Sequence, residues 1–227
     1  MRTPLRAAAL RGLLAVEMFS LVISAASAGE ARSSQASGPA ETLVTKGRLE
    51  NGIVACEACH RAKGDGDAGS AFSNLTGLTK EYVAKQLKDF KSGARESRVM
   101  QVVAENLTPV DIDVLSSYYA RLSPLPLSTS IPEAPKVGAQ LAETGDSGRG
   151  LPPCVSCHSA AARSTNKAIP VLSGQHPLYL KNRLHYWQDP ERKGNAGPEM
   201  AEIAKKLTAI EIDAVSIYFG RQPKTAP

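Results

Sequence analysis

The 227-residue sequence predicts an all-α chain built from two tandem copies of one small helical unit, and three observations carry that reading. A shift of 98 lays Cys56, Cys59 and His60 onto Cys154, Cys157 and His158, along with Leu43 onto Leu141, Gly47 onto Gly145 and Gly52 onto Gly150. A shift of 97 then sets "LTGLTKEYVAKQL" against "LSGQHPLYLKNRL", and a shift of 100 carries Met100, Leu107, Ile112, Tyr118 and Arg121 onto Met200, Leu207, Ile212, Tyr218 and Arg221. Self-similarity at a fixed spacing marks an internal duplication. Finally, apolar residues recur at helical spacing, and no segment alternates convincingly as a strand.

The elements follow in order. "MRTPLRAAALRGLL" places Arg2, Arg6 and Arg11 ahead of an apolar run, and "ISAASAGE" offers a small-residue site at Ala26-Ser27-Ala28. Residues 1–28 therefore read as a signal peptide cleaved after about Ala28, with export to the periplasm. Glu17 interrupts the run, and a membrane anchor is the alternative, disfavoured because the apolar stretch is short for a spanning helix. Residues 29–125 form the first unit, 126–137 a linker and 138–227 the second unit. In the first, "TKEYVAKQLKDFKSG" aligns Val83, Leu87 and Phe90 on one face, with Thr79 to cap its start and Gly93 its end. "TPVDIDVLSSYYARL" has Thr108 as its cap, Pro109 at the first helical position, and Ile112, Leu115, Tyr119 and Leu122 in one stripe. "LSPLPLSTSIPEAPK", rich in Pro and Ser, is the extended linker. The second unit closes with "TAIEIDAVSIYF", which opens on a Thr208/Glu211 capping box. Units this small bury little apolar surface alone, so something else should fill each one.

The formal charge of +5 includes three arginines and one glutamate of the leader, leaving +3. Nucleic-acid binding would need concentrated Lys and Arg, which the sequence lacks. Residues 29–125 balance twelve basic against twelve acidic residues, while 126–227 carry twelve against nine. The second unit thus holds the whole surplus, a slight bias toward an acidic partner.

"CEACH" and "CVSCH" both fit C-x-x-C-H, the attachment signature of c-type haem. Two thiols three positions apart reach the two vinyl groups on one porphyrin edge, and the adjacent histidine then lies beneath the ring. Cys56 and Cys59 are therefore candidate covalent anchors for one haem c, with His60 as axial ligand. Cys154, Cys157 and His158 are the candidates for a second. A zinc site would place its cysteine pairs about 15–20 residues apart. A redox dithiol would need a strand–helix setting that is absent, and disulfides across the pairs would leave both histidines unexplained.

Outside the leader only Met100 and Met200 remain, forty positions after His60 and forty-two after His158. Methionine sulfur is a common sixth ligand of electron-carrying haem and raises its potential. A lone methionine is usually core filler, yet one per unit at equivalent places points to Met100 and Met200 as axial ligands. His176 and His185 could displace Met200 but read better as rim residues. Pro170, twelve positions after His158, could offer its carbonyl to the ring N–H of His158, with Ser73 at the equivalent place for His60.

On these motifs the chain resembles the dihaem cytochrome c4 family, from about Glu41 to Arg221. The marks are "CEACH", "YVAKQLKDFKSGAR", Met100 with "LTPVDIDVLSSYYA", "CVSCH", "LSGQHPLYL" and "MAEIAKKLTAIEIDAVSIYF". The resemblance implies two class I cytochrome c domains, each wrapped round a covalent haem, in a periplasmic electron carrier serving a terminal oxidase. It implies the axial pairs His60 with Met100 and His158 with Met200, and it puts Gly47 and Gly145 where the first and last helices of each domain cross. The sequence departs from the family pattern at Ser73, which lacks the proline, and at Leu78, where the second copy has Gln175. Partners would be redox proteins: a membrane quinol–cytochrome c reductase, a terminal oxidase or a dehydrogenase. Peripheral membrane association is compatible with all three. With both irons six-coordinate no site is open to a small-molecule substrate, so the chain is expected to be an electron-transfer protein and not an enzyme. Lys85, Lys88 and Lys91, or Lys205 and Lys206, could ring a docking face, although such charges are more often a solvated helix face. Two other functions compete. One is the dihaem subunit of a dehydrogenase such as flavocytochrome c sulfide dehydrogenase, and the other is a dihaem peroxidase, which would need a labile iron ligand.

Overall fold

The computed structural model describes residues 38–126, 131–192, 194 and 197–224. The expected leader, the start of the first unit up to residue 37, and residues 127–130 of the expected linker lie outside the described residues. Within them every regular element is helical, and the strand-like pairings are isolated bridges such as Arg48 with Ile53 and Asp146 with Leu151.

The first copy contains α1 (Pro39–Thr45), α2 (Glu57–His60), α3 (Lys80–Ser92), α4 (Met100–Glu105) and α5 (Pro109–Ala120). The second repeats the series as α6 (Lys136–Glu143), α7 (Val155–His158), α9 (Pro177–Gln188), α10 (Pro198–Ala204) and α11 (Ala209–Arg221), with an additional α8 (Ala160–Thr165). The expected caps are in place. Thr79 Oγ1 accepts the Tyr82 N–H at 3.1 Å, and Gly93 closes α3 at φ 77°. Thr208 and Glu211 form the capping box of α11. Thr108 and Asp111 form a second such box on α5, aspartate standing where the pattern asks for glutamate or glutamine.

In each copy the first helix packs on the last, and the long middle helix packs on both the last helix and the methionine-bearing one. The first core gathers Leu43, Val44, Ile53, Leu78, Val83, Ile112, Leu115 and Tyr119, with Leu87 and Leu122 partly buried against it. The second core is divided into two smaller clusters, one around Leu141, Leu151 and Val215 and one around Ala142, Leu180 and Phe219. Arg48 to Asp111 and Arg149 to Glu211, each at 2.6 Å, tie the loop before each C-x-x-C-H turn to the start of the last helix.

One expectation is corrected. Gly47 and Gly145 do not lie at the crossing of first and last helices. Both have left-handed backbone, φ 71° and 69°, in the turn that ends the first helix. A Cβ on either would fall 2.3 Å from a carbonyl, that of Ile53 or Leu151, in the loop leading to the cysteines. The glycine at a helix crossing is Gly138 on α6, where a Cβ would meet the Ala214 carbonyl of α11 at 2.3 Å. The repeat puts Ala40 at the same place in the first copy, so this contact is not shared.

The two copies are joined by a buried polar seam. Asn74 N–H donates to Gln175 Oε1 at 2.8 Å, and Gln175 Nε2 donates back to the Asn74 carbonyl at 2.9 Å. Asn74 Nδ2 reaches the Gly174 carbonyl, and Thr79 Oγ1 donates to the Lys167 carbonyl at 2.5 Å. Among the described residues no helix is long and apolar enough to cross a membrane.

Candidate cofactor site

Each C-x-x-C-H motif folds as a single helical turn. The His60 N–H bonds the Cys56 carbonyl at 2.9 Å, and the His158 N–H bonds the Cys154 carbonyl at 3.0 Å. Residues three and four apart share a helix face, so one turn presents both thiols and the imidazole together. That is the local reason for the spacing. Cys56, Cys59, His60 and Met100 line one cavity of about 1170 Å³. Cys154, Cys157, His158 and Met200 line the same cavity from the second copy. All eight residues singled out from the sequence thus share one continuous space.

The imidazoles are held as expected. His60 Nδ1 lies 3.0 Å from the Ser73 carbonyl, and His158 Nδ1 lies 2.8 Å from the Pro170 carbonyl. A carbonyl can only accept, so Nδ1 carries the proton and Nε2 keeps its lone pair for an electrophile. Burial lowers the pKa of both rings, which favours that neutral form. Burial also pushes the thiols of Cys56 and Cys154 up, Cys154 to about 11, which favours the protonated form of both. A thiolate-based zinc cage is not what this cavity offers, and among the described residues no three His, Cys, Asp or Glu side chains converge as one.

The methionines arrive by similar means. Met100 opens α4, its N–H held by Ser97 Oγ at 3.1 Å. Met200 stands in the first turn of α10, behind Gly197 at φ 71° and Pro198. His176 and His185 are turned to other work. His176 Nε2 meets the Asp65 carbonyl at 2.7 Å, His185 Nδ1 meets Gln188 Oε1 at 3.1 Å, and neither lines the cavity.

Sequence reasoning missed the polar centre of the cavity wall. Arg95 is only 6% exposed, stacks over Phe90 at 4.5 Å, and donates to Tyr179 OH at 2.8 Å and to Gln86. Its Nε is buried without a hydrogen-bond partner. Arg183 stacks on Tyr186 at 4.2 Å and Trp187 at 5.1 Å, and burial, reinforced by Arg95, lowers its pKa to about 10. Among the described residues no salt bridge joins either arginine to a carboxylate. Two desolvated cations without an anion are costly, and a group bringing carboxylates of its own would relieve them. Haem carries two. The cavity therefore fits haem on three counts: paired thiols with an oriented imidazole, a methionine per copy, and buried cations that lack an anion. The repeat of Tyr82 as Tyr179 was the sequence signal that could have exposed this centre.

No protein-family model matches the chain. It is 34% identical over 183 residues to a thiosulfate dehydrogenase electron acceptor of Stutzerimonas stutzeri, covering 79% of this chain and 84% of that one. It is 40% identical over 165 residues to a cytochrome c4 of Pseudomonas aeruginosa, covering 72% and 81% respectively. Among solved structures, a thiosulfate dehydrogenase of Marichromatium purpuratum in its as-isolated form superposes with a TM-score of 0.71 at 38% identity. That match covers 81% of this chain but only 40% of the dehydrogenase chain.

Proposed function

The chain belongs to the cytochrome c4 family of dihaem electron-transfer proteins, and from that premise we propose that it takes electrons from a thiosulfate dehydrogenase and passes them singly to a terminal oxidase. It carries two covalent haem c groups and is an electron-transfer protein, not an enzyme. When bound, each haem supplies one reversible one-electron centre.

In this reading the chain's own residues anchor, orient and shield. Cys56 with Cys59, and Cys154 with Cys157, hold the two groups by thioether bonds. His60 and His158 would hold the two irons through Nε2, each ring kept in register by the carbonyl of Ser73 or Pro170. Met100 and Met200 would hold the same irons through sulfur, which would leave neither open to a small substrate. Arg95 and Arg183 balance the carboxylates of the groups they face. The leader, with cleavage after about Ala28, directs the chain to the periplasm, where both partners are accessible.

The observation that supports the dehydrogenase partner is the match over 81% of this chain to part of a thiosulfate dehydrogenase. It supports a dehydrogenase partner of that kind beside the flavocytochrome-type dehydrogenase weighed as the alternative from sequence. Delivery to an oxidase is what the resemblance to the cytochrome c4 family implies. A redox titration with spectra tests the ligand assignment: Met100→Leu and Met200→Leu should each lower one potential and leave the other nearly unchanged. If neither substitution alters the ferric methionine–iron charge-transfer band, the assignment is wrong. Reduction of the purified protein by thiosulfate dehydrogenase and thiosulfate tests the partner.

A further inference from the structure

The two copies border the shared cavity with different chemistry. On the first copy the rim carries Val54, Val99 and Val102, which are 46%, 55% and 58% exposed. Val54 and Val99 line the cavity itself. Val102 stands one turn along from Val99 on α4, and its carbonyl accepts a hydrogen bond from Asn106. Gly52, two residues before Val54, packs against that same asparagine. Val54 and Val99 thus border the cavity on this copy with Val102 one turn along, and of the charged residues that also line it there Lys85 pairs with Asp89. The repeat shifts put Pro152, Glu199 and Glu202 at these positions in the second copy. Pro152 and Glu199 line the cavity there and are exposed, and Glu202 pairs with Lys205 at 2.9 Å. Duplication by itself would give both mouths one chemistry. Mouths that differ this way are suited to different surfaces.

We propose that the valine mouth is the electron-uptake face, covered by an uncharged apolar patch of the dehydrogenase, while the carboxylate mouth meets the electron acceptor. The inference rests on the thiosulfate dehydrogenase reading above. Its occupant follows from the chemistry of the rim. A charged patch laid on three valines would lose its water with nothing in return, whereas an apolar patch gains by excluding water. Long-lived partners use apolar faces, and passing encounters are steered by charge. In the Marichromatium protein the matching part shares its chain with the rest of a dehydrogenase, which is the long-lived arrangement. A partner that must arrive and leave is better served by Glu199 and Glu202. At uptake one electron leaves the reduced dehydrogenase, which is oxidised, and enters this protein, which is reduced; no bond forms or breaks.

The test is stopped-flow reduction of the holoprotein by a purified thiosulfate dehydrogenase supplied with thiosulfate. Val99→Asp with Val102→Asp should slow the second-order step about tenfold or more, since interface charge without a partner is rejected. Val99→Leu with Val102→Leu should keep the wild-type rate. Val110→Asp, an equally exposed valine at the start of α5, should keep it too. The haem spectrum and the rate of reduction by hydroquinone, a small neutral donor, show that the double-aspartate variant is intact. An unchanged uptake rate in that variant, or an equal loss in Val110→Asp, overturns the assignment of the face. A wild-type protein that the dehydrogenase cannot reduce overturns the partner reading instead, and the inference with it.

Discussion

Replacing Gln175 with methionine keeps the volume of the side chain and removes both polar ends from the seam between the two copies. Gln175 is 5% exposed and Asn74 is 8% exposed, so water cannot readily substitute. Two N–H groups lose their acceptor, that of Asn74 at 2.8 Å and that of His176 at 3.0 Å. The Asn74 carbonyl loses its donor at 2.9 Å but keeps a longer bond from Lys224 Nζ at 3.3 Å. A buried group left unpaired costs about 1–3 kcal/mol, so the two N–H groups together should cost about 2–5 kcal/mol after the apolar gain of methionine. For a chain of this size that is a fall in Tm of roughly 5–15 °C. Thermal melts of the holoprotein by haem absorbance and far-ultraviolet circular dichroism measure it, and amide exchange at Asn74 reports the seam directly. A variant that melts with the wild type and protects Asn74 equally would show that this pair does not hold the copies together.

Two further substitutions probe the frame around each cavity. Gly138→Val should destabilise by about 2–4 kcal/mol, because its Cβ falls 2.3 Å from the Ala214 carbonyl and backbone must give way; a melt equal to wild type would mean α6 can slide without loss. Glu211 is held at about pKa 2, below its usual 4.5, chiefly by the hydrogen bond from Arg149 and against the effect of burial. A depressed carboxyl stabilises the fold above the unfolded pKa and loses that contribution as pH falls toward the folded one. Wild-type stability should therefore drop between about pH 4.5 and 2, by about 1–2 kcal/mol after solvent screening. Glu211→Gln should flatten that part of a denaturant-midpoint profile, and an unaltered slope would remove Glu211 as its source.

What the sequence showed was whatever rests on local geometry. The C-x-x-C-H spacing is a statement about one helical turn, so Cys56, Cys59 and His60 could be grouped without a fold. The carbonyl at Ser73 was foreseeable despite the lost proline, because any residue supplies a carbonyl. Long-range partners were not legible. Lys91 reads as part of a solvated basic face, yet its Nζ holds the carbonyls of Glu105 and Leu107 at the end of α4. Nothing in the sequence marked Arg95 or Arg183 as buried, because a residue pattern reports polarity and not what a polar side chain meets. The short α8 was missed for another reason. Ser159 caps it through the Ala162 N–H, but the first copy has no counterpart, and reading one copy by the other erased it.

The duplication also explains why the two copies share a cavity. Tyr82 on α3 and Tyr179 on α9 are repeats of each other, and both border the same buried space with Arg95 between them. Each copy thus turns the same helix toward its twin, and the open sides of the two units close on one another. This arrangement constrains where the copies can diverge. The thiols, imidazoles and methionines must stay equivalent, whereas Ser73 against Pro170, Leu78 against Gln175, and the valine rim against the glutamates are free to differ. All three differences lie beside the cavity or at its mouths. With the proposed ligands in both copies, different carbonyl holders and different rims make the two sites electrically inequivalent, and that is the condition for electrons to prefer one mouth for arrival and the other for departure.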